Sequence, residues 1–339
     1  MSRIFLLLLL ACTASAQTSS NYHLIKTIPL GAAPGGGEYF DYIVFDPSSR
    51  HVFVSHGTEF RVVDADSGKE VGAVSGLQRD HGVAIVTALN KGFISDGEAA
   101  EVVVFDLKTL KVTSHIKADK DADSIIYDPA SKHVFVFEGD ANSAQMIDPA
   151  KETVIATLPL GGAPEQAVAD GKGMIYDNLE DKGEVVAIDS RTNKISSRWS
   201  AAPCKQAVAL AMDRKTRRLF VGCRNPKIMV VMDADSGKVI GEPFPIGGGV
   251  DTAIFDPETG LVAASTGEGT IDIFHEDSPD KFTPVQSVKT ERGAKTMAFD
   301  PKTHNLYVDT AEFEPAEAGA KNQRPRPKPG TLHLLVYGR

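Results

Sequence analysis

At 339 residues with 42% hydrophobic side chains, the chain has ample material for a large core, and its 30 glycines and 19 prolines suit a fold with many turns. A formal net charge of −9 excludes general affinity for nucleic acid or for an anionic membrane surface, since both need a basic face. No apolar run is long enough for a transmembrane helix.

The first sixteen residues read as an export leader. Arg3 supplies the positive n-region, Ile4 to Ala11 the apolar stretch, and Ala14-Ser15-Ala16 the small-residue cleavage site before Gln17. Removing that leader, whose one charge is Arg3, would leave the mature chain at −10. Lipoprotein processing before Cys12 is the alternative, although Leu10 stands where a smaller residue is expected. The expectation is a soluble periplasmic or secreted protein, cut after Ala16, with one domain over residues 17–339.

Beyond the leader the chain is a succession of short strands. Residues 123–162 show the unit: Ile125–Tyr127, the turn Asp128-Pro129-Ala130-Ser131-Lys132, Val134–Phe137, Ala144–Ile147, the turn Asp148-Pro149-Ala150-Lys151, Val154–Leu158, then Gly161-Gly162. Apolar runs of three to five residues between Asp-Pro and Gly signals predict a four-stranded antiparallel meander. The unit recurs on the Asp that ends each first strand: Asp46, Asp128, Asp170, Asp213, Asp256 and Asp300, with Thr87 in the equivalent place in the second unit. The spacing, 41 to 44 residues, predicts an all-β, seven-bladed β-propeller. The seventh unit lacks a fourth strand, and His23–Gly31 offers one, so the N-terminal strand is expected to close the ring. A WD40 reading is weaker, with one tryptophan and no Trp-Asp or Gly-His signature. A doubly wound α/β fold fails because no long helical period separates the strands. The cluster Gly31–Gly37 precedes a strand, which argues against a phosphate-cradling loop.

After cleavage the remaining cysteines are Cys204 and Cys223, a pair in a disulfide-permissive compartment. Cys204 stands just before the first strand of the fifth unit, Gln206–Met212, and Cys223 just after the second, Leu219–Val221. In a hairpin the entrance of one strand lies beside the exit of the next, so a Cys204–Cys223 disulfide is expected.

Phe53-Val54-Ser55-His56-Gly57-Thr58-Glu59, Ala122–Pro129, Leu219-Phe220-Val221-Gly222-Cys223 and His275–Phe282 resemble the YVTN-repeat propellers, and more closely the exported bacterial YncE-like proteins. The resemblance spans the mature chain. The literal Tyr-Val-Thr-Asn string is absent, Thr266 replaces an expected asparagine, and Lys295 stands where arginine is common. The resemblance implies a secreted or periplasmic propeller and no particular reaction.

In a propeller the first strand of each blade lines the channel. Loops entering it, and loops joining the second strand to the third, share one face. Those positions carry Asp41, His56, His81, Asp96, Asp123, Glu138, Glu165, Asn178, Lys205, Arg224, Asp251, Lys295 and Asp309. Of these, His56, His81, Asp96, Asp123, Glu165, Asn178, Lys205, Arg224, Asp251 and Lys295 are the candidate binding residues of a funnel. Any one of them has an equally simple role capping strand ends. No metal signature such as HExxH is present and no cofactor is identified, but His56, His81 and Asp123 are candidate ligands for a divalent cation. The Asp64–Gly68 and Asp233–Gly237 stretches resemble calcium loops but lack the closing glutamate. No nucleophile motif occurs. His51, His133 and His304, in the turns before second strands, read as solvated. The segment Ala311–Gly330, rich in proline and carrying Lys321, Arg324, Arg326 and Lys328, is expected on the funnel face as a cover or a linker.

Two functions fit. The first is an envelope binding or scaffold protein, expected as a monomer, that takes a small polar ligand or a protein partner on the funnel. The second is a hydrolase of the lactonase or cycloisomerase kind, with His56, Glu165, Asn178 and Asp251 around one ion.

Overall fold

A computed structural model describes residues 21–315 and 326–339; the leader, Lys321 and Arg324 lie outside these residues. Seven four-stranded antiparallel sheets are arranged as blades. Their inner strands are Ile43–Asp46, Asp80–Val86, Ala122–Asp128, Pro164–Ala169, Gln206–Asp213, Val250–Asp256 and Met297–Phe299, which define blades one to seven. In blades one to six the strands follow in chain order. The seventh takes Met297–Phe299, Leu306–Thr310 and Leu332–Gly338 from the C-terminal end, then His23–Gly31 as its outer strand. His23 pairs with Gly338 and Gly31 with Leu332, so the two ends of the chain share one ladder.

The repeated Asp is a turn-former. Asp46 accepts from the amide of Ser48 at 3.0 Å and the hydroxyl of Ser49 at 2.6 Å, and Asp128, Asp213, Asp256 and Asp300 make equivalent bonds. Four residues on, the chain takes the left-handed conformation at Arg50, Lys132, Arg217, Gly260 and His304, which brings the second strand back antiparallel. Three of those residues reach back to the turn Asp of the preceding blade. Arg50 bonds Asp300, Arg217 bonds Asp170, and His304 lies 2.8 Å from Asp256. His304 is thus an inter-blade partner and not the solvated residue its turn position suggests.

Middle strands are buried on both faces, as in His133–Glu138, because each blade is sandwiched between two others. Outer strands alternate, as in Thr153–Pro159. The core is accordingly divided into wedges between blades. Phe53, Phe60 and Val62 of blade one meet Val83, Ile94 and Phe105 of blade two, and Phe220 and Met229 of blade five meet Val262 and Phe274 of blade six. The outer strand of blade five shrinks to Phe244–Pro245, where flanking prolines withhold ladder donors.

Cys204 and Cys223 are joined, with 5.7 Å between Cα atoms. Cys223 lies inside the strand Arg218–Asn225 and not beyond its end. The hairpin is longer than the apolar run suggests because Lys205 N–H donates to Asn225 O at 2.8 Å, which extends the ladder into polar residues.

Candidate funnel site

At the end of the ring opposite the Asp-Pro turns, the inner strands open into a cavity of about 950 Å³. Asp41, Asp123, Glu165, Asp251 and Lys295 all line it, and each stands five residues before the turn Asp of its own blade. A repeated register delivers these side chains to one level around the axis. Blade two supplies His81 instead, one residue out of step beside the bulge between Asp80 and Val83. Blade five has Val208 at the register position, and Arg224 from its second strand lines the cavity in its place.

The charges form a chain of alternating sign. His81 Nδ1 donates to Asp41 Oδ2 at 2.8 Å and lies 3.1 Å from Asp123 Oδ1, an ion-pair contact whose angle leaves that oxygen without a hydrogen bond. Asp41 Oδ1 is 3.1 Å from Lys295 Nζ, which also bonds Asp251. Asp251 bonds Arg224, and Arg224 reaches Glu180 at 3.1 Å. Tyr39 donates to Asp41 Oδ2 at 2.9 Å, and Arg79 stacks 4.6 Å over the Tyr39 ring. One residue deeper than Glu165, Gln166 Oε1 accepts from the amides of Leu210 and Ala253, which ties three inner strands together.

Burial and neighbouring charge set the protonation states. Burial alone would lower the His81 pKa, but Asp123 and Asp41 outweigh it and push it up to about 10. Burial would raise Asp41, yet Lys295 and His81 hold it below the usual carboxylate range. Lys295 stays protonated because Asp251 and Asp41 more than offset its desolvation. Glu165 moves the other way: burial, then Asp123 and Asp251, push its carboxyl well above the ordinary value. Beneath Lys295, burial raises Asp309 to about 8.

His81 owes its extra proton affinity to the fold. The corresponding stabilisation is complete below about pH 6.5 and is lost as pH rises towards about 10. The thermal midpoint of the wild type should therefore exceed that of His81→Gln by most at about pH 6.5 and below, with the gap closing as pH rises towards about 10. A gap independent of pH would show that His81 is not the charged link.

Of the ten candidate residues, His81, Asp123, Glu165, Arg224, Asp251 and Lys295 come together in the cavity. The other four are not among its lining. His56 is fully buried and pairs with Glu38 at 3.1 Å, which in turn accepts from Gly330 N–H. Asp96 accepts the amides of Gln78 and Arg79, Asn178 donates to Ala209 O at 2.9 Å, and Lys205 is exposed at the rim. Side chains alternate along a strand, so residues near the ends of second strands divide between the funnel, which Arg224 lines, and the next blade, which Asn178 reaches. Ser55, Ser95 and Ser265 show the same habit, donating to Asp80 O, Asp123 O and Lys295 O of the following blade. The three groups whose ligand atoms lie within 4.8 Å of one another are Asp41, His81 and Asp123; His56 is not one of them.

Sequence reasoning missed Tyr42, one residue on from Asp41 in the register, and Tyr39, Arg79 and Glu180, which line the cavity from outside it. The repeated five-residue offset would have separated ring residues from cap residues. From the segment Ala311–Gly330, Phe313 and Pro327 line the cavity, bridge one another, and carry a Lys328–Glu312 pair at 2.9 Å. The described base of that segment is therefore a short ladder at the funnel rim.

No protein-family model and no curated protein matches this chain. Among solved structures, a chain of the crystallised mitotic checkpoint complex is similar with a TM-score of 0.76 at 13% identity, covering 100% of this chain and 99% of that one. The RRP9 WD40 repeats give 0.73 at 9% identity, over 93% of this chain and 100% of that one. Kuenenia stuttgartiensis hydrazine synthase gives 0.69 at 14% identity, over 82% and 93%. At such identities the likeness speaks for the fold alone, and the chain is a seven-bladed β-propeller.

Proposed function

We propose that this chain is an exported propeller of the YVTN-repeat kind that binds a small polar ligand in its funnel, with an envelope partner protein as the larger alternative occupant. The observation that carries this reading is the cavity itself. Seven acids (Asp41, Asp121, Asp123, Asp140, Glu165, Glu180, Asp251) and five basic groups (Arg79, His81, Arg224, Arg292, Lys295) converge there from all seven blades. Structural capping does not need such a convergence, because the caps are supplied one layer away by residues such as Asp96 and Asn178. Export is supported by the leader-like first sixteen residues and by the disulfide, which suits an oxidising compartment. Among the described residues no helix is long and apolar enough to cross a membrane.

A divalent-metal hydrolase at the same place would use Asp41, His81 and Asp123. Lys295 on Asp41 and the proton on His81 Nδ1 oppose it, since a metal ligand must shed its proton and give up its ion pair.

Thermal unfolding across a panel of polar metabolites tests the binding reading. A true ligand should raise the midpoint in a concentration-dependent way, and Asp251→Asn should lose most of that rise. If no compound shifts the wild type, or if the shift survives Asp251→Asn together with Arg224→Ala, the funnel is not the site. Expression in a bacterial host supplies a further check: the mature protein in the periplasm or medium should begin at Gln17. Retention of Met1 in the cytoplasm would refute export.

A further inference from the structure

We propose that the sector of the funnel formed by Tyr42, Asp123 and Glu165 is a subsite for the primary ammonium group of the ligand. This rests on the ligand-binding reading and adds the chemical class.

The alternating chain runs from Asp123 through His81, Asp41, Lys295, Asp251 and Arg224 to Glu180, so it passes round the ring and returns to blade four. Within that chain every cation is held between two carboxylates. Glu165, on the inner strand of blade four, stands between its two ends and takes no part. Among the described residues nothing hydrogen-bonds its carboxyl, and its surroundings are Asp123, Asp251, Arg224 and Glu180. Asp123 Oδ1 is buried and has no hydrogen bond. Tyr42 is half-buried, and among the described residues nothing hydrogen-bonds its hydroxyl. The negative charges of Asp123, Glu165, Asp41 and Asp251 all act on it. All three groups line the same cavity.

Tyr42 and Glu165 have no hydrogen-bond donor among the described residues and Asp123 Oδ1 has only the ion-pair contact with His81, so this acidic sector calls for a group that brings donors and positive charge. An alkylammonium has three N–H donors and no acceptor, which matches a phenol oxygen, the Asp123 carboxylate and Glu165, whose carboxyl the neighbouring acids hold towards the protonated form and an incoming positive charge would ionise. An anionic ligand would be repelled by Asp123 and would leave these oxygens unmet. A divalent metal is disfavoured, because its remaining ligand would be Asp41, already bonded to Lys295, Tyr39 and His81. The wall supplies a place for a hydrocarbon body, with Phe40, Phe313, Pro164 and Pro327 facing the same space. Phe40 and Phe313 pack with ring centroids 6.3 Å apart.

Calorimetric titration of the full mature protein with 2-phenylethylammonium tests this, with its N,N,N-trimethyl analogue, phenylacetate and zinc chloride as separate probes. The primary amine should bind saturably, the quaternary analogue at least tenfold more weakly, and phenylacetate not at all. Tyr42→Phe removes one oxygen with little change of shape and should weaken the amine several-fold; Glu165→Gln and Asp123→Asn should each weaken it about tenfold or more. Equal affinity for the primary and quaternary amines, unchanged affinity in all three variants, or saturable zinc binding in place of the amine would overturn the assignment. Binding of phenylacetate, or of a neutral metabolite, that depends on Asp251 and Arg224 while the amine fails would overturn the ammonium subsite and leave the binding reading intact. If no probe and no metabolite binds, both fail.

Discussion

A chain lacking residues 17–31 is expected to lose cooperative folding, or to unfold at a greatly lowered temperature. These residues include the outer strand His23–Gly31 of blade seven, which pairs along Leu332–Gly338. Ile28 and Leu30 are buried, 7% and 3% exposed, against Ile43, Val52, Leu334 and Val336, so the strand seals the wedge between blades seven and one. Burying two such side chains is worth roughly 1.5–3 kcal/mol each, and each lost ladder bond adds about 0.5–1.5 kcal/mol. The total rivals the roughly 5–15 kcal/mol that holds an ordinary domain together. Deletion would also leave Leu332–Gly338 as an uncovered edge, open to pairing with another molecule. The milder Leu30→Ala should cost about 2–4 kcal/mol by denaturant titration. A deletion variant with the wild-type midpoint would remove the N-terminal strand from any part in closing the ring.

Replacing Cys204 and Cys223 together by alanine should cost about 3 kcal/mol, the chain-entropy value for a loop of this size. At a sequence separation of 19 the bond constrains the unfolded blade-five hairpin, and both sulfurs sit in the wedge between blades four and five. For a chain of this length, with its large unfolding entropy, the thermal midpoint should fall by roughly 4–5 °C. The bond also bears on the funnel. Arg224 follows Cys223 directly and bonds both Asp251 and Glu180, so loosening the strand end should weaken funnel ligands as well as the fold. Non-reducing peptide mapping checks the linkage, and calorimetry of oxidised and reduced protein measures its worth. Free thiols at both positions in exported protein would refute it.

Much of the architecture is legible without coordinates because each blade solves the same local problem. An Asp before a tight turn and an apolar second strand recur every 41 to 44 residues, the length of one four-stranded blade. Even ring closure is legible, since the missing fourth strand of blade seven and the spare strand at His23 are complementary defects. The funnel is only partly so. Asp123, Glu165, Asp251 and Lys295 are found because they stand where the chain enters a first strand, whereas His56 pairs with Glu38, Asp96 holds the amides of Gln78 and Arg79, and Asn178 turns into the next blade.

The sequence by itself determined the blade count, the closing strand and the cysteine pair, all of which depend on local turns, strand length and short-range spacing. Tertiary structure alone decided which charges meet. His81 joins Asp41 across 40 residues and Lys295 joins Asp41 across 254, contacts that exist because the ring brings its first and seventh blades together. It also decided that Glu165 and Tyr42 line the cavity with no hydrogen-bond partner among the described residues, because an unmet acceptor is a property of the whole ring and not of any one blade.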